Sequence, residues 1–341
     1  MNRLTFRLTL FATILALIVV TLGAYARLKD AGLGCPDWPG CYGHFSVPHS
    51  AEELQVAMNR FPDQPVEAEK AWPEMIHRYV AGSLALIIFI LALQAFSTYS
   101  KTKKWTKVTI MPLVLFGIIL FQALLGKWTV TLRLLPTVVM SHLLGGMSLF
   151  GLLSLFCFQQ SQLAKNIPAV ALKPFRYWGI FALIIILLQI ALGGWTSANY
   201  AALACHDFPT CKGQYIPTLN FKAAFNLFIE AGPNYQGGLL DNTARITIHF
   251  MHRFGALITF IYIGLLSLGL IIANTSKALR YMGILILITL LIQIGVGIMN
   301  VILHLPLHNA VMHNGVAAIL FAQIVCLNAI LWNDQQRINY A

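Results

Sequence analysis

The sequence predicts an all-α polytopic membrane protein with eight transmembrane helices, arranged as two tandem, parallel, pseudo-symmetric four-helix bundles. Hydrophobic residues make up 58% of its 341 residues and charged residues only 10%, whereas a soluble domain carries roughly 25% charged residues. Eight apolar runs are long enough to cross a bilayer, which takes about 17–25 residues each. These runs lie near residues 8–25, 76–97, 109–130, 138–158, 176–196, 246–272, 281–303 and 309–332.

The segments between these runs alternate in charge, which predicts the orientation of the helices. Basic residues occupy both termini and every second loop, and a single acidic residue, Asp334, lies among them. The remaining Asp and Glu residues lie in the alternate loops. Because basic loops stay on the cytoplasmic side, we expect both termini inside. The net charge of +11 therefore indicates topology, and we expect no nucleic-acid partner.

The first apolar run also resembles a cleavable signal peptide, since Arg3 and Arg7 precede it and Ala24-Tyr25-Ala26 follows it. Cleavage would leave seven helices and would contradict the charges of the loops. We therefore expect this run to remain as a membrane anchor. The compact length, and the lack of an Arg- and Ser-rich transit segment before the run, favour a bacterial inner-membrane protein.

An internal repeat divides the chain into two halves, residues 1–170 and 171–341. The segment from Cys35 to Cys41 matches the segment from Cys205 to Cys211 in the pattern C-x-D-[WF]-P-x-C, 170 residues later. The match continues at Gly23 and Gly193, His77 and His252, Gln122 and Gln293, Pro136 and Pro306, and His142 and His313. Each copy has an even number of spans, so the copies run parallel, and each is expected to form a four-helix bundle.

Two histidines in each half are the candidate metal ligands. His77 and His142 lie near the outer ends of the second and fourth helices, and His252 and His313 repeat these positions. Neutral imidazole is a good iron ligand, and a planar macrocycle fits between the helices of a bundle. One histidine at a membrane edge more often bonds only a neighbour, but four at duplicated positions favour a functional role. The sequence therefore predicts two haem-type sites, one in each half.

Charged residues beside these histidines are further candidates. Arg78 and Arg253 directly follow His77 and His252, where a guanidinium group can pair with a haem propionate or anchor the helix by snorkelling. Glu74 lies three residues before His77, on the same helical face. A carboxylate there can act as an acid, a base or a stabiliser, or can favour the helix N-terminus. The equivalent residue of the second half is His249, and this asymmetry favours a functional role for Glu74.

The two cysteine pairs lie in outer loops, where disulfides persist. Asp and Pro between the cysteines predict a tight turn that brings Cys35 near Cys41 and Cys205 near Cys211. Four thiolates can also hold zinc, but the repeat places one pair in each half, which favours two local disulfides. Either pair can alternatively act as a redox relay.

Four other residues receive no role at the candidate sites. Cys157 and Cys326 lie towards the cytoplasmic ends of their helices and are expected to be packing residues. His304 and His308 flank Pro306 before the last helix. They can modulate the second site, but we do not assign them as ligands.

Together these motifs resemble the haem A synthases, which act in bacterial and mitochondrial cytochrome oxidase assembly. The resemblance covers essentially the whole chain and matches the form with a cysteine pair in each half. It implies that the substrate is haem O, a haem b bearing a farnesyl chain. Two successive hydroxylations of the C8 methyl group, followed by loss of water, would give the formyl group of haem A.

The resemblance also implies a role for each half. His77 and His142 would ligate the haem O iron, with Glu74 as the catalytic carboxylate. His252 and His313 would ligate a permanent haem b. The cysteine pairs would be disulfides, and membrane lipid, an electron acceptor and the farnesyltransferase that makes haem O are the implied partners.

Two other classes of protein share part of this pattern. A di-haem, quinol-linked electron carrier of the cytochrome b type also uses paired histidines in helical bundles, but it needs neither Glu74 nor the cysteine loops. A transporter can contain parallel repeats, but it predicts polar, broken helices at mid-membrane. The histidines of this chain instead cluster at one edge.

Overall fold

Eight long helices dominate the computed structural model, which describes residues 3–161, 173–273 and 277–332. In chain order the helices are α1 (Arg3–Leu28), α2 (Ala51–Arg60), α3 (Ala68–Thr102), α4 (Lys107–Thr131), α5 (Pro136–Gln160), α6 (Lys173–Ala198), α7 (Phe221–Ala224), α8 (Asn242–Ile272), α9 (Lys277–Ile302) and α10 (Leu307–Leu331). All except α2 and α7 are long and apolar enough to cross a membrane. The prediction of an all-α, multi-pass membrane protein is confirmed. The predicted boundary between the halves, residues 170 and 171, lies outside the described ranges.

The outer end of α3 differs from the prediction. This helix begins at Ala68 and continues through Pro73, whereas the apolar run predicted a start near residue 76. His77 was expected to open the helix and instead lies about two and a half turns after Ala68. The reason is that Glu69 and Lys70 make the first turns polar, so hydropathy alone does not detect them.

The two short helices lie between α1 and α3 and between α6 and α8 and were not predicted. Helix α2 is polar, and a capping box fixes its start: the Ser50 hydroxyl accepts a hydrogen bond from the Glu53 backbone N–H at 3.2 Å, and the Glu53 carboxylate accepts one from the Ser50 backbone N–H at 3.1 Å. Helix α7 covers only Phe221–Ala224.

The transmembrane helices contact one another in two rings. Helices α1, α3, α4 and α5 pack in one closed ring, and α6, α8, α9 and α10 pack in another. The rings meet mainly through α5 and α10, with α1 against α10 and α5 against α6 at the sides. A Cβ atom added at Gly151 of α5 would lie 2.7 Å from Phe321 of α10, so a glycine is needed for this close approach.

The largest cluster of buried hydrophobic residues crosses the contact between the rings. Its largest fully buried side chains on α5 include Met147, Leu153 and Phe156. Ile324 and Leu327 of α10 belong to the same cluster. By contrast, large apolar side chains on the outer surfaces of the helices are exposed, as expected where lipid is the solvent.

The segments between α1 and α2 and between α6 and α7 contain the two predicted disulfides. Cys35 is bonded to Cys41 and Cys205 to Cys211, with Cα–Cα distances of 4.7 and 4.8 Å. These four cysteines are therefore not thiolate ligands of a zinc ion. Among the residues that the structure describes, no group of three or more His, Cys, Asp and Glu side chains has the arrangement of a metal site.

Polar residues join the outer ends of α1 and α6. The Arg27 guanidinium donates to the Ser197 carbonyl at 2.6 Å and lies 4.1 Å from the centre of the Tyr200 ring. The Tyr200 hydroxyl donates to the Asp30 carboxylate at 2.6 Å. Burial raises the pKa of the Tyr200 phenol, so the hydroxyl keeps its proton at neutral pH. We call Arg27, Asp30, Ser197 and Tyr200 the outer clamp.

The free cysteines lie away from the outer loops. Cys326 is buried on α10 and Cys157 is partly buried on α5. Both positions agree with the packing role predicted from the sequence.

Candidate functional site

In the first half, each candidate histidine faces a glycine of a neighbouring helix. A Cβ atom added at Gly23 of α1 would lie 3.0 Å from Cε1 of His77 on α3. One added at Gly126 of α4 would lie 3.5 Å from Cε1 of His142 on α5. The glycines thus provide space for the rings. The Nδ1 atoms of both histidines are buried without a hydrogen-bond partner in the described part of the chain.

The second half repeats this arrangement. Added Cβ atoms at Gly193 of α6 and Gly297 of α9 would lie 3.1 and 3.0 Å from Cε1 of His252 and His313, respectively. All four helices of each ring therefore contribute to a histidine pair, either with the imidazole or with the glycine that faces it.

His252 and His313 face each other directly. Their ring centroids are 6.5 Å apart and their planes cross at 82°. A metal ion between two imidazoles, with bonds of about 2 Å to each, separates the ring centres by roughly 6 Å. The spacing of this pair would therefore allow both imidazoles to hold one iron. The unpartnered nitrogens of His77 and His142 fit the same role, because buried polar atoms are normally satisfied.

Two glutamines contact the second pair. Nε2 of Gln189 lies 3.1 Å from Nδ1 of His252. Nε2 of Gln293 lies 3.3 Å from Nδ1 and 3.2 Å from Nε2 of His313. Both glutamines lie one helical turn before the glycine that faces the same ring.

Glu74 lies at the junction of α3 and the first cysteine loop. Its side chain is buried, with 6% of the residue exposed. The backbone N–H of Cys35 donates to Oε2 at 3.0 Å, and Arg78 forms an ion pair with the other carboxylate oxygen. Two bonds thus hold the carboxylate beside His77 on the same helix.

His249 occupies the same place in the second half. The backbone N–H of Cys205 lies 3.3 Å from its Nδ1 atom, and Nε of Arg253 lies 3.1 Å from its Nε2 atom. Both neighbours are donors, and a neutral imidazole has one acceptor nitrogen, so His249 accepts from only one of them, whereas the Glu74 carboxylate accepts from both of its partners. The two residues also differ in what they can offer chemically, since only the carboxylate has an anionic form under ordinary conditions.

Arg78 and Arg253 also bind loop carbonyl groups. Arg78 donates to the carbonyl oxygens of Asp37 at 2.9 Å and of Gly40 at 2.5 Å. Arg253 donates to those of Asp207 and Thr210, both at 2.8 Å. These bonds fasten each disulfide loop to its helix, and the predicted contact with a haem propionate stays a prediction.

The family of the chain follows from comparison with known proteins. The family model COX15-CtaA, described as cytochrome oxidase assembly protein, matches residues 6–325. The chain belongs to this family.

Relatives called heme A synthase align with nearly the whole length of this chain. That of Shewanella oneidensis is 45% identical over 327 residues, 96% of each chain. That of Halalkalibacterium halodurans is 28% identical over 95% of this chain and 97% of its own. That of Wolbachia pipientis from Culex pipiens is 26% identical over 92% and 94%. The resemblance predicted from the sequence is confirmed.

Sequence reasoning did not identify Gln189 as a contact of the candidate site. The repeat indicated Gln122 and Gln293, but Gln189 has no glutamine at its equivalent position, which is Val19. Its only signal was its place one turn before Gly193. His304 and His308 are exposed, and both remain unassigned.

Proposed function

We propose that the protein is a haem A synthase, an oxidoreductase that converts haem O to haem A for cytochrome oxidase assembly. The observation that carries this proposal is the combination of two histidine pairs with an exchange of Glu74 for His249 beside them. A histidine pair beside a carboxylate suits a reacting site. A pair without one suits an electron-transfer site. The name and 45% identity of the Shewanella oneidensis relative support the same activity.

We further infer that residues 1–170 and 171–341 form two tandem, pseudo-symmetric bundles, with both termini in the cytoplasm and the cysteine loops outside. The nearly constant offset of the repeat, 170–175 residues, and the alternation of loop charges support this arrangement. The first bundle would hold haem O between His77 and His142. The second would hold haem b between His252 and His313.

Each residue near the first pair has a defined task in this proposal. Bound haem b supplies the redox chemistry that no side chain can provide. His77 and His142 bind and orient the substrate. Arg78 and the Cys35 amide hold the Glu74 carboxylate beside the site, where it can accept a proton during oxidation of the methyl group. A farnesylated substrate is lipid-soluble, so membrane lipid is its expected source.

Extraction of bound haems tests the proposal. The protein would be purified from cells that make haem O, and its haems would be separated by chromatography. We expect haem b together with haem O or haem A. Haem b alone would instead support a di-haem electron carrier, and a protein without haem would contradict both classes.

A further inference from the structure

We propose that residues 225–240, which we call the strap, close the first-half site although they belong to the second half. The strap lies between α7 and α8 and covers the end of the first ring next to His142, with Tyr235 as its anchor. The inference rests on the proposed function, because it takes His77 and His142 as the ligands of the substrate. It assigns the exclusion of water from that pair, and the retention of the bound macrocycle, to a segment that supplies no ligand.

Tyr235 fastens the strap to the turn between α4 and α5. Its backbone N–H donates to the Arg133 carbonyl at 3.0 Å. Its side chain is only 5% exposed and shares a hydrophobic cluster with Leu134 and Leu135, the last two residues of that turn. A residue of the second half is thus buried against the first half, through both its backbone and its ring.

Hydrogen bonds within the second half define the shape of the strap. The Tyr235 hydroxyl donates to the Glu230 carbonyl at 2.6 Å, and the Gly238 backbone N–H donates to the Tyr235 carbonyl at 3.0 Å. Arg245 of α8 donates to the carbonyl groups of Leu240 and Gly238, at 3.0 and 2.9 Å. The anchor ring is therefore held in place, and the strap is tied to the start of α8.

The cluster that contains Tyr235 lies one helical turn from the candidate ligand. Val138 and Val139 of α5 pack against it. They precede His142 by four and three residues, so all three lie on one side of the helix. Side chains of an α-helix lean towards its N-terminus, and the His142 imidazole is therefore directed towards the turn that the cluster covers.

The corresponding turn of the second half is bare, and its site is closed differently. Ile302 and Leu303, between α9 and α10, are 57% and 50% exposed. Val138 corresponds to Asn309, which is buried and donates to the Val296 carbonyl at 3.0 Å and to the Asn300 side-chain oxygen at 2.8 Å. The second half thus fills this place with polar residues of its own helices.

This difference in cover suits the proposed difference in function. The cover of the second pair is part of two long helices and can open only if they separate. The cover of the first pair is a connecting segment, which can move while the helices stay packed. Exclusion of water strengthens electrostatic interactions within a site and prevents side reactions. A movable cover therefore suits a site whose macrocycle must enter, react and leave.

Haem transfer to excess apomyoglobin tests the strap in the full-length protein. Chromatography of the transferred haems would separate haem O or haem A, from the first half, from haem b, from the second. We expect Tyr235→Ala to speed the loss of haem O or haem A at least about tenfold, because removal of a buried aromatic side chain frees the strap. The loss of haem b should not change. Phe228→Ala is the matched control, since Phe228 is an aromatic residue of the same strap that is 94% exposed.

A second measurement needs no bound haem. The thiol introduced by Val139→Cys lies beneath the strap, so a water-soluble maleimide should label it slowly. We expect Tyr235→Ala to speed this labelling about tenfold and Phe228→Ala to leave it at the parent rate. Peptide mass spectrometry would distinguish position 139 from Cys157 and Cys326.

The outcomes distinguish this inference from the proposed function. Equal labelling rates with and without Tyr235→Ala would overturn the inference. Equal acceleration of haem b loss would also overturn it, because Tyr235 would then stabilise the whole molecule and not the cover of one site. A parent protein that holds haem b but neither haem O nor haem A would instead refute the proposed substrate site, while faster labelling in Tyr235→Ala would still support the strap.

Discussion

Glu74 is unusual because its buried carboxylate has two structural partners and still lies beside a candidate ligand. Burial of an unpaired charge is costly, but Arg78 and the Cys35 amide compensate it. His249 lies within hydrogen-bond distance of the corresponding amide and guanidinium, but a neutral imidazole accepts from only one of them. The carboxylate of Glu74 therefore has a structural role, in holding the loop, and a proposed chemical role beside His77.

Replacing Glu74 with glutamine tests this separation of roles. The side-chain amide introduced by Glu74→Gln can still accept the hydrogen bond from Cys35, so we expect haem content to remain near the parent level. It cannot accept a proton as a carboxylate does, so haem A formation should fall at least about 100-fold. Chromatography of extracted haems measures both quantities.

The control for this variant is Glu67→Gln, because Glu67 is an exposed carboxylate in a surface ion pair with Lys70. Such pairs contribute little, and haem A formation should not change. Parent-level haem A in Glu74→Gln would remove the carboxylate from the mechanism.

At the scale of the helix, the position of a candidate ligand depends on the glycine that faces its ring as well as on the histidine itself. Helix α9 contributes no ligand to the second pair, yet its backbone at Gly297 provides the space for the His313 ring. Gly295 lies two residues earlier on the same helix, and a Cβ atom added there would have no neighbour within 4 Å. The two glycines thus offer an internally controlled experiment.

We expect Gly297→Val to displace the His313 ring and to reduce haem b affinity by about 10- to 100-fold. Gly295→Val should leave haem binding at the parent level, because it changes helix propensity in the same way without touching the ring. The haem b absorbance per protein after purification measures the difference. Equal haem content in the two variants would contradict the role assigned to Gly297.

Helix number and type could be predicted from the sequence because the bilayer sets the length of each apolar run. The ends could not, since the polar first turns of α3 carry no hydropathy signal. The histidine pairs were predictable because the repeat duplicates them. The contact of Gln189 with His252 was not, because it depends on tertiary structure and the repeat partner of Gln189 is Val19. The loop contacts of Arg78 were missed for the same reason, since they depend on tertiary structure.

At the scale of the molecule, two rings of helices share an apolar seam, and the outer clamp is one of several polar connections between the two halves. The seam lies between α5 and α10. The outer clamp joins the C-terminal ends of α1 and α6. The clamp residues come from positions that the repeat relates, Arg27 to Ser197 and Asp30 to Tyr200, yet their side chains differ. The connection is therefore formed by asymmetric partners at equivalent positions.

Removal of the Tyr200 hydroxyl tests the clamp. Tyr200→Phe loses the hydrogen bond to Asp30, and a bond to a charged group typically contributes about 1.5–3 kcal/mol. We expect a lower melting temperature in detergent while the haem spectra stay unchanged, because the clamp does not contact the histidines. Tyr215→Phe is the control, since Tyr215 is 78% exposed. Equal melting temperatures for the two variants would show that the clamp adds no stability.

The matching positions of Glu74 and His249 bear on how the two copies of an internal repeat diverge. The acid and the imidazole each lie within hydrogen-bond distance of a loop amide and a guanidinium in their own half. The carboxylate accepts from both donors, whereas a neutral imidazole accepts from only one. Exchange between the two residues at this position therefore keeps one of the two bonds and removes a negative charge.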